Sequence, residues 1–134
     1  MSLAASPRFL RHVMLADAAS CAGTGALQVL LASPMSDLFN LHPTMLFGTG
    51  LFLLAYAAVA AFVGTREPIP RQLVALFAAG NVGWAVICIA LLVNGAIAPT
   101  TLGTAWVFAQ VVVVLVLAEL QWLGLKRYPV TGWA

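Results

Sequence analysis

Residues 16–28, Ala16-Asp17-Ala18-Ala19-Ser20-Cys21-Ala22-Gly23-Thr24-Gly25-Ala26-Leu27-Gln28, sit inside the first long apolar run of the chain. At 100° per residue, Asp17, Ser20, Cys21, Thr24 and Gln28 follow the i, i+3, i+4, i+7, i+11 spacing of one helical face. Alanines and glycines surround that stripe, and small residues let helix backbones approach closely while hydroxyls and carboxamides bond across the contact. The spacing therefore predicts a membrane helix with one polar face, which serves either as glue between helices or as the lining of a ligand or proton path.

Composition sets the wider frame. Of 134 residues, 63% are hydrophobic and 7% charged, against roughly 45–50% and about 25% in soluble domains. The chain reads as an integral membrane protein, all-α, with a single transmembrane domain over 1–134. Apolar runs at about 11–32, 44–64, 70–93 and 100–125 are each long enough to cross a hydrocarbon core of about 30 Å. Helix is the conformation that satisfies its own backbone hydrogen bonds in lipid. Ser33-Pro34 and His42-Pro43 bracket the first loop, Pro68 and Pro70 precede the third run, and Asn94-Gly95 and Pro99 bracket the last loop. Short loops make neighbouring spans antiparallel, so the expected fold is an up-down four-helix bundle. Within the first loop, "SDLFNL" is expected to form a short interfacial turn with Ser36 or Asp37 as cap.

The charges are sorted. Arg8 and Arg11 precede the first span, Arg66 and Arg71 lie between the second and third, and Lys126 and Arg127 follow the fourth. All six basic residues fall on one side, and the opposite loops hold only Asp37. The positive-inside rule then places both termini in the cytoplasm. Trp122, Tyr128 and Trp133 fit an aromatic belt at that interface. The formal charge of +2 is spread too thinly for nucleic-acid binding. Arg8 and Arg11 before an apolar run ending in "LLASP" loosely resemble a signal peptide, but the run exceeds a typical signal-peptide core and contains Asp17, so it is read as mature structure.

A duplication of two-helix units is also suggested. Asp17 and Asn81 stand early in the first and third spans, and "HPTML" before the second span answers "APTTL" before the fourth. Such a 2+2 parallel repeat implies a pseudo-two-fold axis along the membrane normal.

Asp17 lies roughly 9 Å into its span, with Tyr56 roughly 12 Å and Asn81 roughly 15 Å from the same side. These three, with Ser20, are the candidates for a hydrogen-bonded ligand or coupling site. Glu119 lies at a depth comparable to Asp17; two acids at one level are able to share a proton or hold a cation, while snorkelling toward Lys126 is the preferred reading for Glu119. Cys21, Thr24 and Gln28 on the first span, and Gly103, Gln110 and Gln121 on one face of the fourth, form the expected packing faces. Glu119 points about 180° from Gln110, so the fourth span has polar groups on two sides. That hints at a second protomer or another membrane protein. Trp84 and Trp106 read as packing or lipid-facing surface.

Catalytic signatures are missing. His12 and His42 fall at opposite ends of the membrane, so they share no metal or haem. Cys21 and Cys88 are offset in depth and read as buried thiols. The sequence holds no CxxC, no phosphate-binding glycine loop and no HExxH, and Ser, His and acidic residues share no common depth for a triad. No cofactor and no metal is expected.

The stretches "LADAAS", "FGTGLFLLAYA", "GNVGWA", "APTTLG" and "AELQWLGLKR" resemble a group of small bacterial four-span inner-membrane proteins. The resemblance runs over nearly the whole chain and implies the bacterial inner membrane and the four-span bundle. It brings no catalytic residues. Small multidrug-resistance transporters also have four short spans with an acid in the first, but the one-sided charge and extended first loop depart from them. The leading expectation is a non-enzymatic accessory or interaction subunit, oligomeric in the bilayer. The alternative is a minimal proton- or cation-coupled carrier, or a protein that binds a lipophilic small molecule, using Asp17.

Overall fold

The computed structural model describes residues 7–127, all of them helix or connecting loop. The elements are α1 (Pro7–Leu30), α2 (Ala32–Phe39), α3 (Pro43–Thr65), α4 (Arg71–Val93) and α5 (Thr101–Arg127). Helices α1, α3, α4 and α5 are long and apolar enough to cross a membrane, and α1 is the least apolar of them because it carries the polar stripe. The chain is thus a multi-pass helical bundle whose outer surface suits a lipid bilayer. Leu51, Phe62, Leu76, Val86, Val112 and other large apolar side chains point outward, as they must where lipid replaces water.

The expected spans match the four long helices, with the largest departure at the first. α1 starts at Pro7, earlier than residue 11, and stops at Leu30 because Leu31 leaves helical geometry (φ −121°, ψ 27°). Ala32 then opens α2, which corrects the expected short turn: the loop holds an eight-residue helix, and neither Ser36 nor Asp37 caps it. Its start has no side-chain cap, and its end is Asn40 in the left-handed region (φ 55°) with its N–H bonded to the Ser36 carbonyl. What holds α2 is burial. Met35 and Phe39 pack with Leu41 and Leu46, beside Trp106 and Ile97, so the amphipathic face of a short helix plugs one end of the bundle. At α3, the imidazole of His42 caps the helix by accepting from Thr44 N–H at 3.2 Å, with Pro43 in the first turn. After α4, Gly95 takes φ +77°, a conformation that glycine adopts without strain.

Two hairpins make the bundle. α1 pairs with α3, and α4 pairs with α5; the backbones of the two halves approach mainly where α1 lies against α5, while α3 reaches α4 through the side chains of Tyr56 and Phe52. The α1–α3 pairing is close because glycines meet. A Cβ built on Gly25 would lie 2.7 Å from the Gly50 carbonyl oxygen, and one on Gly50 would lie 2.9 Å from that of Gly25.

All the described basic residues that the sequence assigns to one side do lie at one end. There Arg11 pairs with Glu67, and Arg71 donates to the Leu125 carbonyl at 2.7 Å. This is called the basic end below. Leu10, Met14, Val63, Val74, Phe77 and Leu125 form its core, drawn from all four long helices. Trp122 is exposed near it, while Tyr128 and Trp133 lie outside the described residues. At the opposite end Thr100 N–H donates to the Phe39 carbonyl at 3.0 Å, Thr100 Oγ1 to Leu38 at 2.9 Å, and Asn40 Nδ2 to Ala98 at 2.7 Å. The halves are therefore tied together there as well.

Candidate functional site

The polar stripe of α1 divides along its length into three parts with different neighbours. Asp17 turns toward the other hairpin, Ser20, Cys21 and Thr24 line a cavity, and Gln28 turns toward α3.

Asp17 is fully buried and is offered only donors. Its Oδ2 accepts from Asn81 Nδ2 on α4 at 2.9 Å and from Gln121 Nε2 on α5 at 2.7 Å. Its Oδ1 accepts from the Cys21 thiol one turn on, at 3.4 Å. Asn81 Nδ2 also donates to Gln121 Oε1 at 3.1 Å, and Tyr56 Oη on α3 donates to Asn81 Oδ1 at 3.3 Å. The node thus draws one side chain or more from each of the four long helices. Gly80 makes room for the phenol, since a Cβ there would sit 3.1 Å from Tyr56 Oη. An acidic group in a membrane helix is costly, on insertion scales about 2.5–3.5 kcal/mol at the centre, and such groups face the bundle interior and are paired. Asp17 meets that requirement with hydrogen bonds from two amides.

Asp17, Tyr56 and Asn81 come together as their depths suggest. Gln121 joins them, although the spacing on α5 places it on a packing face. Glu119 does not meet Asp17, which corrects the idea of two acids sharing a proton or a cation. It is exposed on the far side of α5, two residues and hence about 200° from Gln121. Nor does it form an ion pair with Lys126 among the described residues. No group of three or more His, Cys, Asp and Glu side chains is placed to hold a metal among those residues. Cys21 and Cys88 are buried free thiols.

At its far end the stripe does act as glue. Gln28 Nε2 donates to the Leu46 carbonyl at 2.9 Å and to Thr49 Oγ1 at 2.7 Å, both on α3. Gly103 is buried at the opposite end, where a Cβ would meet the Phe39 carbonyl oxygen at 2.4 Å.

Between the Asp17 node and the far-end ties, the backbones of the halves stand apart and Phe52 and Trp84 bridge them. A chamber of about 120 Å³ is lined by Ser20, Cys21, Thr24, Leu53, Trp84, Trp106 and Gln110, among others. A neighbour of about 170 Å³ shares Trp84, Trp106 and Gln110 with it and extends past Gln28, Thr49, Cys88 and Ile97. Asp17 lines neither; Cys21, its hydrogen-bond partner, forms part of the first chamber's wall. Trp84 Nε1 donates to Gln110 Oε1 at 3.2 Å, and Phe52 stacks on Trp84 with centroids 5.9 Å apart. Trp106 stacks on Phe39 at 5.5 Å, and its own Nε1–H is buried with no acceptor. Ala109 and Val113, on the wall of the first chamber, are exposed, so that chamber opens sideways through the bundle surface.

Trp84 and Trp106 are thus the residues that reading the sequence as packing surface misses. The signal available in the sequence was their relation to Gln110, which is polar at membrane depth: Trp106 stands one turn from it on the same face of α5, and Trp84 falls at a similar depth on α4. Compared with known proteins, the chain matches no family model, no curated protein and no solved structure.

Proposed function

We propose that the chain is a non-enzymatic protein of the bacterial inner membrane that binds a small, uncharged lipophilic molecule between its two hairpins, entering sideways from the bilayer. The observation that carries this reading is the buried Trp106 Nε1–H, without an acceptor, in the wall shared by the two chambers. An unpaired buried donor costs about 1–3 kcal/mol, and a ligand carrying a carbonyl-type acceptor removes that penalty once the indole turns its N–H into the chamber. Apolar walls with a few convergent polar groups are what small-molecule sites are built from, and an apolar cavity of about 150 Å³ holds a benzene-sized molecule. Asp17, closed off by Asn81 and Gln121, serves this site as the fixed floor of the hairpin junction, without proton coupling. Both termini are assigned to the cytoplasm, on the strength of the one-sided basic residues.

The test compares two probes of matched shape. 4-Fluoroacetophenone carries the acceptor and 4-fluoroethylbenzene lacks it, and binding is followed by fluorine NMR on protein in detergent micelles. The ketone should bind roughly two- to tenfold more tightly, the worth of one hydrogen bond. Trp106→Phe should abolish that preference, and Ala109→Phe should block both probes. Equal binding of the two by the wild-type protein, or binding that survives Ala109→Phe, would sink the proposal.

A further inference from the structure

Away from the chambers, α4 and α5 leave a groove of about 540 Å³ on their outer side, lined by Ala75, Ala78, Ala79, Val82, Glu119 and Trp122, among others. Glu119 is exposed there, and Trp122 is 57% exposed one turn along α5. Neither side chain forms a hydrogen bond or ion pair among the described residues. Lys126, the nearest cation along α5, is seven residues away, roughly 10 Å along the helix. A carboxyl facing lipid at that depth is unfavourable, and ionisable groups within membrane helices are found paired.

We infer that this groove is the contact surface for a second copy of the chain, with Glu119 of each copy bonded to Trp122 of the other. The patch is complementary to itself. Glu119 brings acceptors; Trp122 brings an indole N–H that only donates. A two-fold axis along the membrane normal joins surfaces of equal depth, so every contact occurs twice. The offset between Glu119 and Trp122 is three residues, roughly 4.5 Å along the helix, which the two long side chains span. The alanines of α4 leave room for close backbone approach, the usual basis of helix association in lipid. The nearest basic residue along α5, Lys126, is roughly 10 Å from Glu119 along the helix, so Trp122 is the closer partner that a second copy presents. The Trp122 donor is what the chain itself provides.

The test is energy transfer between donor- and acceptor-labelled copies in lipid vesicles, with labels on an Asp37→Cys variant whose native thiols are buried. Transfer should rise with protein-to-lipid ratio to a dimer limit. Glu119→Leu and Trp122→Phe should each weaken association roughly three- to tenfold, the double variant should be no weaker than the worse single one, and Ala79→Trp should leave monomers. Helix content by circular dichroism checks that each variant is folded. A wild-type chain that stays monomeric at every ratio overturns the inference, including the case in which a helix of another protein fills the groove. So does a dimer indifferent to these substitutions. The measurement uses no ligand, so its failure is separate from any failure of the binding proposal.

Discussion

Asp17 accepts from three donors, and two of them, Asn81 and Gln121, converge on one of its oxygens. In Asp17→Leu, the N–H groups of Asn81 and Gln121 lose the Oδ2 acceptor that they share, so buried donors are left unpaired. The expected loss is about 1–3 kcal/mol, read as a lower unfolding midpoint in detergent. Gln121→Leu should cost a similar amount. Because both changes break one network, the double variant Asp17→Leu/Gln121→Leu should lose clearly less than the two single losses added. Additive losses would mean that the node is not one cooperative unit. The pairing of Asp17 with Asn81 is legible in the sequence, since counting residues from the charged end brings both to neighbouring depths. The choice of Gln121 over Glu119 is not. It depends on the rotation of α5 about its own axis, and that is set by what α5 packs against. α5 has polar groups on both sides, so its sequence alone does not say which side turns inward.

Among the helices, α1 and α3 make the most extensive pairing, and glycines that differ sharply from their neighbours in the same stretch bring them close. Gly25 has the Gly50 carbonyl oxygen 2.7 Å from where its Cβ would be, while a Cβ on Gly23 meets nothing within 4 Å. Gly25→Ala must push two backbones apart, with an expected cost of about 1–3 kcal/mol. Gly23→Ala fills open space and removes a flexible residue from a helix, so it should leave stability unchanged or raise it by up to about 1 kcal/mol. Thermal unfolding followed by circular dichroism separates the two; equal effects would show that the glycine contact does not hold the hairpin. The four long helices themselves are plain in the sequence because each apolar run is long and bounded by proline, glycine or charge. α2 escapes that reading. It lacks a capping side chain and is too short for periodicity to show, and it forms because Met35 and Phe39 find Leu46 on α3 and Trp106 on α5, residues outside the helix itself.

Taken together, two hairpins are tied at both ends, with their backbones apart between. At the basic end the ties are the core around Met14 and Phe77 and the Asp17 node just above it; at the other they are Thr100 and Asn40 on the α2 corner. The chambers lie in the interval, where the backbones of α3 and α4 stand apart and side chains such as Phe52 and Trp84 span the gap. This arrangement gives the two ends different surroundings. Arg11, Glu67, Arg71 and Lys126 gather at one, and Asp37 stands at the other as an exposed side chain with no basic residue in its loop. Basic residues are retained on the cytoplasmic side during insertion, so the end with Arg66 and Arg71 should face inward and Asp37 outward. Cysteine accessibility decides the matter. With Cys21 and Cys88 replaced by alanine, Asp37→Cys should react with a membrane-impermeant maleimide in intact bacterial cells. Thr65→Cys, equally exposed on the protein but at the basic end, should react only after the membrane is broken. The reverse pattern would invert the bundle. It would leave the node and the chambers as described, since their geometry depends on how the helices pack and not on which side of the membrane the termini occupy.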